Sequence, residues 1–139
     1  DNANAPFAYK GGLKTTDGYD KVLDSIMTIQ EQDNPMSHIK KYEIVKGDAI
    51  HTVPEYFQRC PETLVALAYF DFDIYKPTKV CLEYIWPRCS KGTVIAFDEL
   101  CDVDSPGESQ AFIEFCNRHG KIALKRLPIA SRISYFIVE

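Results

Sequence analysis

The chain has 139 residues, about one domain's worth, and its 16 Lys and Arg against 20 Asp and Glu give a formal net charge of −4. A nucleic-acid-binding surface needs a basic stripe to neutralise phosphates, so this acidic balance argues against one. Hydrophobic residues make up 45% of the chain, enough for a core, and no apolar run approaches the roughly 18 residues of a membrane span. We therefore expect neither nucleic acid nor a membrane as a partner.

The N-terminus and the cysteines indicate a reducing compartment. Residues 1–4 have neither the positive start nor the apolar stretch of a signal peptide. The cysteines are odd in number and show no Cys-x-x-Cys spacing, which disfavours a disulfide framework and a structural zinc site. We expect reduced thiols and a cytoplasmic location. The five cysteines are Cys60, Cys81, Cys89, Cys101 and Cys116.

Hydrophobic periodicity predicts helices that alternate with strands. Residues 1–16 show no periodicity and are predicted to be an irregular N-terminal segment. From Tyr19, apolar residues recur at three- and four-residue spacing, which predicts a helix with Asp17 as its N-cap and a stop at Asn34-Pro35. The later predicted elements are a strand at 42–45, a helix from 50 that Cys60-Pro61 closes, a strand at 63–70, a helix at 77–86, a strand at 93–97, a helix through 112–116 that ends at His119-Gly120, and strands at 122–128 and 133–138.

Two of the predicted strands, 63–70 and 93–97, are apolar without alternation. Such a run is what a strand buried on both faces needs. Alternation of strands and helices indicates an open α/β sheet of mostly parallel strands in a single domain over 1–139. The last two strands are joined by too short a connection for a helix, so we expect the last strand to be antiparallel.

Acidic pairs follow both apolar strands: Asp71 and Asp73 after the first, Asp98 and Glu99 after the second. In an open α/β sheet, ligands bind outside the carboxyl ends of the strands. Four carboxylates there repel one another unless a proton or a cation neutralises them, and hard oxygen ligands select Mg²⁺, Mn²⁺ or Ca²⁺. A single acid at a strand end is commonly a cap or turn residue, whereas two pairs favour a functional site.

Other candidate residues are weaker. Gly47-Asp48 follows a third predicted strand, but Gly-Asp is equally an ordinary turn. No cysteine has a flanking sequence typical of a nucleophile, so buried thiols are the preferred interpretation. The histidines are isolated in sequence and are interpreted as structural; they are His38, His51 and His119.

The segments that carry these acids resemble the macrocin O-methyltransferase family. These are metal-dependent class I S-adenosylmethionine methyltransferases that act mainly on sugar or phenolic hydroxyls. The resemblance also covers 45–54, around Gly47-Asp48. The matching motifs are Asp71-x-Asp73-x-Tyr75-x-x-Thr78, Asp98-Glu99-Leu100 and Ser105-Pro106-Gly107-Glu108.

The resemblance implies a role for each acid. Asp71, Asp98 and Glu99 would hold Mg²⁺, although Glu99 stands where better-known members have Asp. Asp73 would be the general base that takes the proton of the acceptor hydroxyl. The S-adenosylmethionine would lie against Gly47, Asp48 and Asp71, with Asp48 near its adenine.

The resemblance also implies a Rossmann-like class I methyltransferase sheet that lacks its first two strands. No strand in this sequence is followed by the Gly-rich turn that cradles the cofactor. We therefore expect the chain to be the C-terminal part of a longer polypeptide, with an unpaired apolar strand edge that favours homo-oligomers.

The leading functional hypothesis is Mg²⁺-dependent transfer of a methyl group from S-adenosylmethionine to a hydroxyl of a small molecule, as in natural-product or sugar modification. One alternative is a Mg²⁺-dependent phosphoryl-transfer or phosphatase-type enzyme, because Asp-x-Asp after a buried strand also serves phosphatases. A third hypothesis is a truncated, non-catalytic binding domain.

Overall fold

The computed structural model describes residue 12 and residues 14–139, without the side chain of residue 131. The predicted irregular N-terminal segment lies outside the described residues except at 12 and 14–16, where no helix or strand forms. The elements are α1 (Tyr19–Gln32), α2 (Ala49–Arg59), β1 (Val65–Phe70), α3 (Tyr75–Ile85), a short 3₁₀ helix (Trp86–Arg88), β2 (Cys89–Phe97), α4 (Gly107–His119), β3 (Lys125–Leu127) and β4 (Ala130–Ile137).

The described strands form one sheet in the order β1-β2-β4-β3. β1 and β2 are parallel, as expected for strands joined by a helical crossover, and β4 is antiparallel to both β2 and β3. The predicted α/β class and the antiparallel last strand are confirmed. Among the described residues, no helix is long and apolar enough to cross a membrane.

Aromatic side chains from the sheet and from α4 form the core. Phe70 of β1 stacks on Phe97 of β2 with ring centroids 5.1 Å apart, and Phe112 of α4 contacts Phe97 edge-on at 5.4 Å. Phe115 and Phe136 are also buried. Because α4 packs against the sheet through this core, its first turn is held next to the carboxyl ends of β1 and β2.

Burial of the two apolar strands differs. Consecutive residues at the end of β2 are buried, so the prediction of burial on both faces is confirmed there. In β1 it is wrong: Phe70 is 1% exposed, whereas Leu67 and Tyr69 are 64% and 50% exposed. The reason is that β1 is the edge strand of the described sheet, and its second face borders an open cleft.

Two local predictions near α1 are also wrong. Residues 42–45 belong to no strand pair of the described sheet; Tyr42 instead donates a hydrogen bond to the Asp24 carboxylate of α1 at 2.9 Å. A strand needs a neighbour for its backbone groups, and none lies beside this segment in the described structure. The N-cap of α1 is Gly18, with φ +86° and no side-chain cap, while Asp17 pairs with Lys14 at 2.7 Å.

Candidate functional site

The four predicted acids converge on one cavity of about 260 Å³. The parallel register aligns Phe70 with Phe97, and the N–H of Asp98 extends the ladder to the Phe70 carbonyl at 2.9 Å, so both strands end side by side. The cavity is lined by Asp71, Asp73, Asp98, Glu99, Asp102, Asp104, Ser105 and Arg132. The residues after the two strands therefore form one acidic cavity.

Asp73 lies at the centre of a strained turn. Its φ is +60°, and the N–H of Ile74 donates to the carbonyl of Phe72 at 2.6 Å. A hydrogen bond from residue i+2 to residue i across a positive φ defines the rarer form of γ-turn, and a non-glycine residue held there costs about 1–3 kcal/mol. Burial, and then the carboxylates of Asp71 and Asp98, raise the pKa of Asp73. Strain and a raised pKa at one carboxyl are typical of a functional residue.

Asp98 is held by a tyrosine from β1. The Tyr69 hydroxyl donates to Oδ1 of Asp98 at 2.5 Å, and this bond, followed by burial, raises the pKa of Tyr69 to about 12. The phenol therefore stays protonated at neutral pH and keeps one carboxylate oxygen of Asp98 directed toward it.

An arginine from β4 partly neutralises the cavity. Nη1 of Arg132 lies 2.6 Å from Oε1 of Glu99, and Nη2 lies 2.9 Å from Oδ2 of Asp102. Burial raises the pKa of Glu99, and the guanidinium opposes that shift. Both carboxylates are largely buried while the arginine is mostly exposed, so the cation covers the rim of the cavity.

Glu108, in the first turn of α4, connects the two acidic turns. Its side chain is fully buried; Oε1 accepts a hydrogen bond from the N–H of Phe72 at 3.0 Å, and Oε2 accepts from the N–H of Glu99 at 3.4 Å. Burial raises the pKa of Glu108 to about 7, and hydrogen bonds from the backbone of Phe72, Glu99 and Asp73 oppose the shift. No role for Glu108 could be predicted from the sequence, because an acid in the first turn of a helix is ordinarily explained by the helix dipole.

An apolar cleft of about 500 Å³ lies beside β1. Gly47 lines it, together with Tyr69, Phe70 and Phe72. The carboxylate of Asp48 caps α2 by accepting from the N–H of Ile50 at 3.1 Å. The predicted cofactor residues are thus divided, with Gly47 at the cleft, Asp48 at the helix cap beside it, and Asp71 in the acidic cavity.

Carboxylate oxygens that share one cavity suit Mg²⁺ by ligand type and by charge. As they stand, however, Tyr69 engages Asp98 and Arg132 engages Glu99. In the part of the chain that the structure describes, no three His, Cys, Asp or Glu side chains form a group that could hold a metal ion. The donor set therefore fits Mg²⁺ chemically, and the ligand roles of Asp71, Asp98 and Glu99 stay a prediction.

The remaining sequence candidates lie elsewhere. The ring of His119 packs against Phe115 and Trp86, with centroids 4.4 and 5.3 Å apart, which agrees with its structural interpretation. His51 lies within α2, and His38 lies in the turns that follow α1. The five cysteines are free thiols, and Cys81 is buried in α3.

No protein-family model and no curated protein sequence matches the chain. Solved structures do match. CalS11, described as a calicheamicin methyltransferase, matches with a TM-score of 0.87 and 36% identity over 96% of this chain and 52% of that chain. The apo structure of CalS11, named as a TDP-rhamnose 3'-O-methyltransferase of calicheamicin biosynthesis, matches with a TM-score of 0.81 and 36% identity over 89% of this chain and 54% of that one.

The O-methyltransferase NovP matches with a TM-score of 0.62 and 17% identity over 83% of this chain and 44% of that chain, a likeness that shows the fold alone. The chain thus spans about half the length of the structures it matches. It has the α/β fold of these enzymes, and the 36% identity to CalS11 supports an O-methyltransferase family.

Proposed function

We propose that this chain carries the catalytic acids of a Mg²⁺-dependent O-methyltransferase that transfers the methyl group of S-adenosylmethionine to a hydroxyl of a sugar or phenolic small molecule. The observation that carries the proposal is the convergence of the four predicted acids on one cavity, in a chain 36% identical to CalS11. Because CalS11 is named as a TDP-rhamnose 3'-O-methyltransferase, a sugar hydroxyl is the favoured acceptor class.

Asp73 is the proposed general base. Methyl transfer to a hydroxyl requires removal of its proton as the oxygen attacks, and a carboxylate with a raised pKa accepts that proton more readily. The strained turn at Asp73 supports this role, because the fold maintains an unfavourable backbone conformation at this carboxyl.

Asp71, Asp98 and Glu99 are the proposed magnesium ligands, and Gly47 and Asp48 lie on the proposed cofactor side. When bound, Mg²⁺ would supply positive charge that lowers the pKa of the acceptor hydroxyl. The acids suit the positive sulfonium of the methyl donor. The main work of these residues is to bind and orient both substrates for in-line attack.

The open edge of β1 supports a further part of the proposal. β1 pairs only with β2 in the described sheet, and exposed apolar side chains lie along the strand. We propose, as the macrocin-type resemblance implies, that further strands of the natural polypeptide pair with β1 and complete the cofactor site. Intact mass and N-terminal sequencing of the natural protein would test this directly.

The activity is tested with the natural full-length protein, radiolabelled S-adenosylmethionine and a panel of nucleotide sugars and catechols. We expect methyl transfer that a chelator abolishes and added Mg²⁺ restores. Asp73→Asn should lower kcat by about 10²–10⁴-fold, the usual contribution of a general base, while Mg²⁺ affinity is retained. Asp33→Asn, an exposed position at the end of α1, is the matched control and should keep full activity.

Four outcomes would contradict the proposal. Asp73→Asn with full activity would remove Asp73 as the base. Transfer that a chelator does not affect would remove the magnesium requirement. Hydrolysis of phosphate esters without any binding of S-adenosylmethionine would favour the phosphatase alternative, and a protein with neither property would favour a binding domain.

A further inference from the structure

The first turn of α4 contacts both acidic turns through three consecutive residues. Gly107 packs so closely on the Asp73 turn that a Cβ there would lie 2.6 Å from the Asp73 carbonyl oxygen and 2.3 Å from the backbone nitrogen of Tyr75. The Oγ of Ser109 accepts a hydrogen bond from the N–H of Cys101 at 2.7 Å, in the loop that follows β2. Between them, Glu108 bonds to the backbone of both turns.

Glu108 contacts the backbone at, or directly next to, two of the proposed site residues. Its Oε1 accepts from Phe72, the residue directly before Asp73, and Oε2 accepts from Glu99 itself. These bonds span 36 and 9 residues of sequence, so one side chain joins two loops that leave different strands. The γ-turn at Asp73 is unfavourable on its own and persists only where its surroundings fix it.

We propose that Glu108 is a positioning residue, whose buried carboxylate holds the Asp73 turn and the Asp98–Glu99 turn in a fixed relation so that both acid pairs face one cavity. It does not line that cavity, and it acts through the backbone of the residues that do. The proposal deepens the proposed function and rests on it for its catalytic consequence, whereas the connection between the two turns can be tested without any activity.

The test variant is Glu108→Gln in the natural full-length protein. A carboxylate accepts two N–H groups, but a Gln side chain has one accepting oxygen and an amide group that can only donate. One of the two backbone N–H groups must therefore lose its acceptor, with almost no change in side-chain volume. The matched control is Glu83→Gln, which removes a surface carboxylate paired with Arg118 at 2.7 Å between α3 and α4.

The first readout is amide hydrogen exchange measured by NMR. In Glu108→Gln we expect exchange at the N–H of Phe72, of Glu99 or of both to rise at least about tenfold relative to the core amides of Ile95 and Phe97, and no such change in Glu83→Gln. The second readout is steady-state kinetics. Misplaced acids should lower kcat roughly tenfold to hundredfold and weaken Mg²⁺ binding, with KM for S-adenosylmethionine within about twofold of wild type.

Unchanged protection of the Phe72 and Glu99 amides would overturn the proposal. An equal rise in exchange at the core amides would also overturn it, since a residue that only stabilises the whole fold would give that result. Faster local exchange with unchanged kcat and Mg²⁺ affinity would also overturn it. If the wild-type protein transfers no methyl group, the proposed function fails, and the exchange result alone decides whether Glu108 joins the two turns. If Glu108→Gln does not fold, Glu108→Asp takes its place: its carboxylate is one methylene shorter and cannot reach both N–H groups, so unchanged protection of Phe72 and Glu99 relative to the same core amides would overturn the proposal.

Discussion

At the scale of single residues, Asp73 shows how the site departs from favourable backbone geometry. For an ordinary residue, the left-handed region costs roughly 1–2 kcal/mol, because Cβ approaches the following carbonyl oxygen. Asp73 has φ +60°, and burial followed by the neighbouring carboxylates raises its pKa. Both features oppose stability. Two exposed residues, Met36 and Cys101, also have positive φ, so it is the combination with a raised pKa that distinguishes Asp73. A position that is unfavourable in two independent ways is more easily explained by function than by folding.

The strain at Asp73 predicts that glycine is more stabilising than alanine at this position, the reverse of their usual order. We expect the free energy of unfolding of Asp73→Gly to exceed that of Asp73→Ala by about 0.5–1 kcal/mol, because only glycine adopts positive φ without cost. Both variants lose the same carboxylate, so the difference isolates the backbone. Urea denaturation monitored by circular dichroism measures it.

The matched pair for this comparison is Asp33→Gly and Asp33→Ala, at φ −87° and ψ −6°. There the usual order should hold, with Ala more stable by about 0.5–1 kcal/mol. If Ala were also the more stable residue at position 73, the backbone of the Asp73 turn would not be strained.

At the scale of elements, one edge of β1 has no partner strand in the described sheet. Leu67 is 64% exposed and Tyr69 is 50% exposed, and both line the apolar cleft. An edge strand with apolar side chains and free backbone groups is a template for pairing with another chain. In isolation, the chain of 139 residues therefore has a surface that favours association.

We expect Leu67→Lys to reduce self-association of the 139-residue chain, because a charged side chain on an edge strand opposes pairing. Sedimentation velocity over a range of concentrations should show a shift toward monomer, with an unchanged circular dichroism spectrum. Ile129→Lys is the control, since Ile129 is 95% exposed in the connection between β3 and β4. Equal association of the wild type and Leu67→Lys would show that this edge is not the contact.

The elements that could be predicted from sequence are those with a local signal. The four helices follow from apolar spacing, and the second half of β2 follows from the apolar run at 93–97, whereas its polar first half from Cys89 was not predicted. The strand predicted at 42–45 could not be judged locally, since a strand exists only where a neighbour takes its backbone hydrogen bonds. Local sequence could not predict the exposure of β1 either. Its residues are apolar, but one face is open because no partner element covers it in the described structure.

At the scale of the whole molecule, the acids of the site could be predicted from sequence, whereas their distant hydrogen-bond partners could not. Its four acids were predictable because parallel neighbouring strands bring their carboxyl ends together. Their partners were not, because they come from other elements: Tyr69 reaches Asp98 across 29 residues, and Arg132 reaches Glu99 across 33. These contacts depend on tertiary packing, for which the sequence carries no local pattern.

The five cysteines are spread along the chain from the end of α2 to α4, so their reactivity reports on packing throughout the molecule. Burial, and then the negative charge of Asp48, raise the pKa of Cys81 to about 12, and burial also raises the pKa of Cys89 and Cys116. Cys101 is exposed. Because the thiolate is the reactive form, both access and pKa protect the thiol of Cys81.

We therefore expect iodoacetamide at pH 8 to label Cys101 first and Cys81 last, with peptide mass spectrometry as the measurement. The same reaction in 6 M guanidinium should label all five cysteines at similar rates, since it removes the burial that separates them. Rapid labelling of Cys81 in the native protein would mean that α2 and α3 do not pack as described, because its Sγ lies 3.8 Å from the Ala49 carbonyl at the start of α2. Since Asp48 is the N-cap of α2, that result would also weaken the placement of Gly47 and Asp48 beside the apolar cleft. Labelling of Cys101 first and Cys81 last would support that placement.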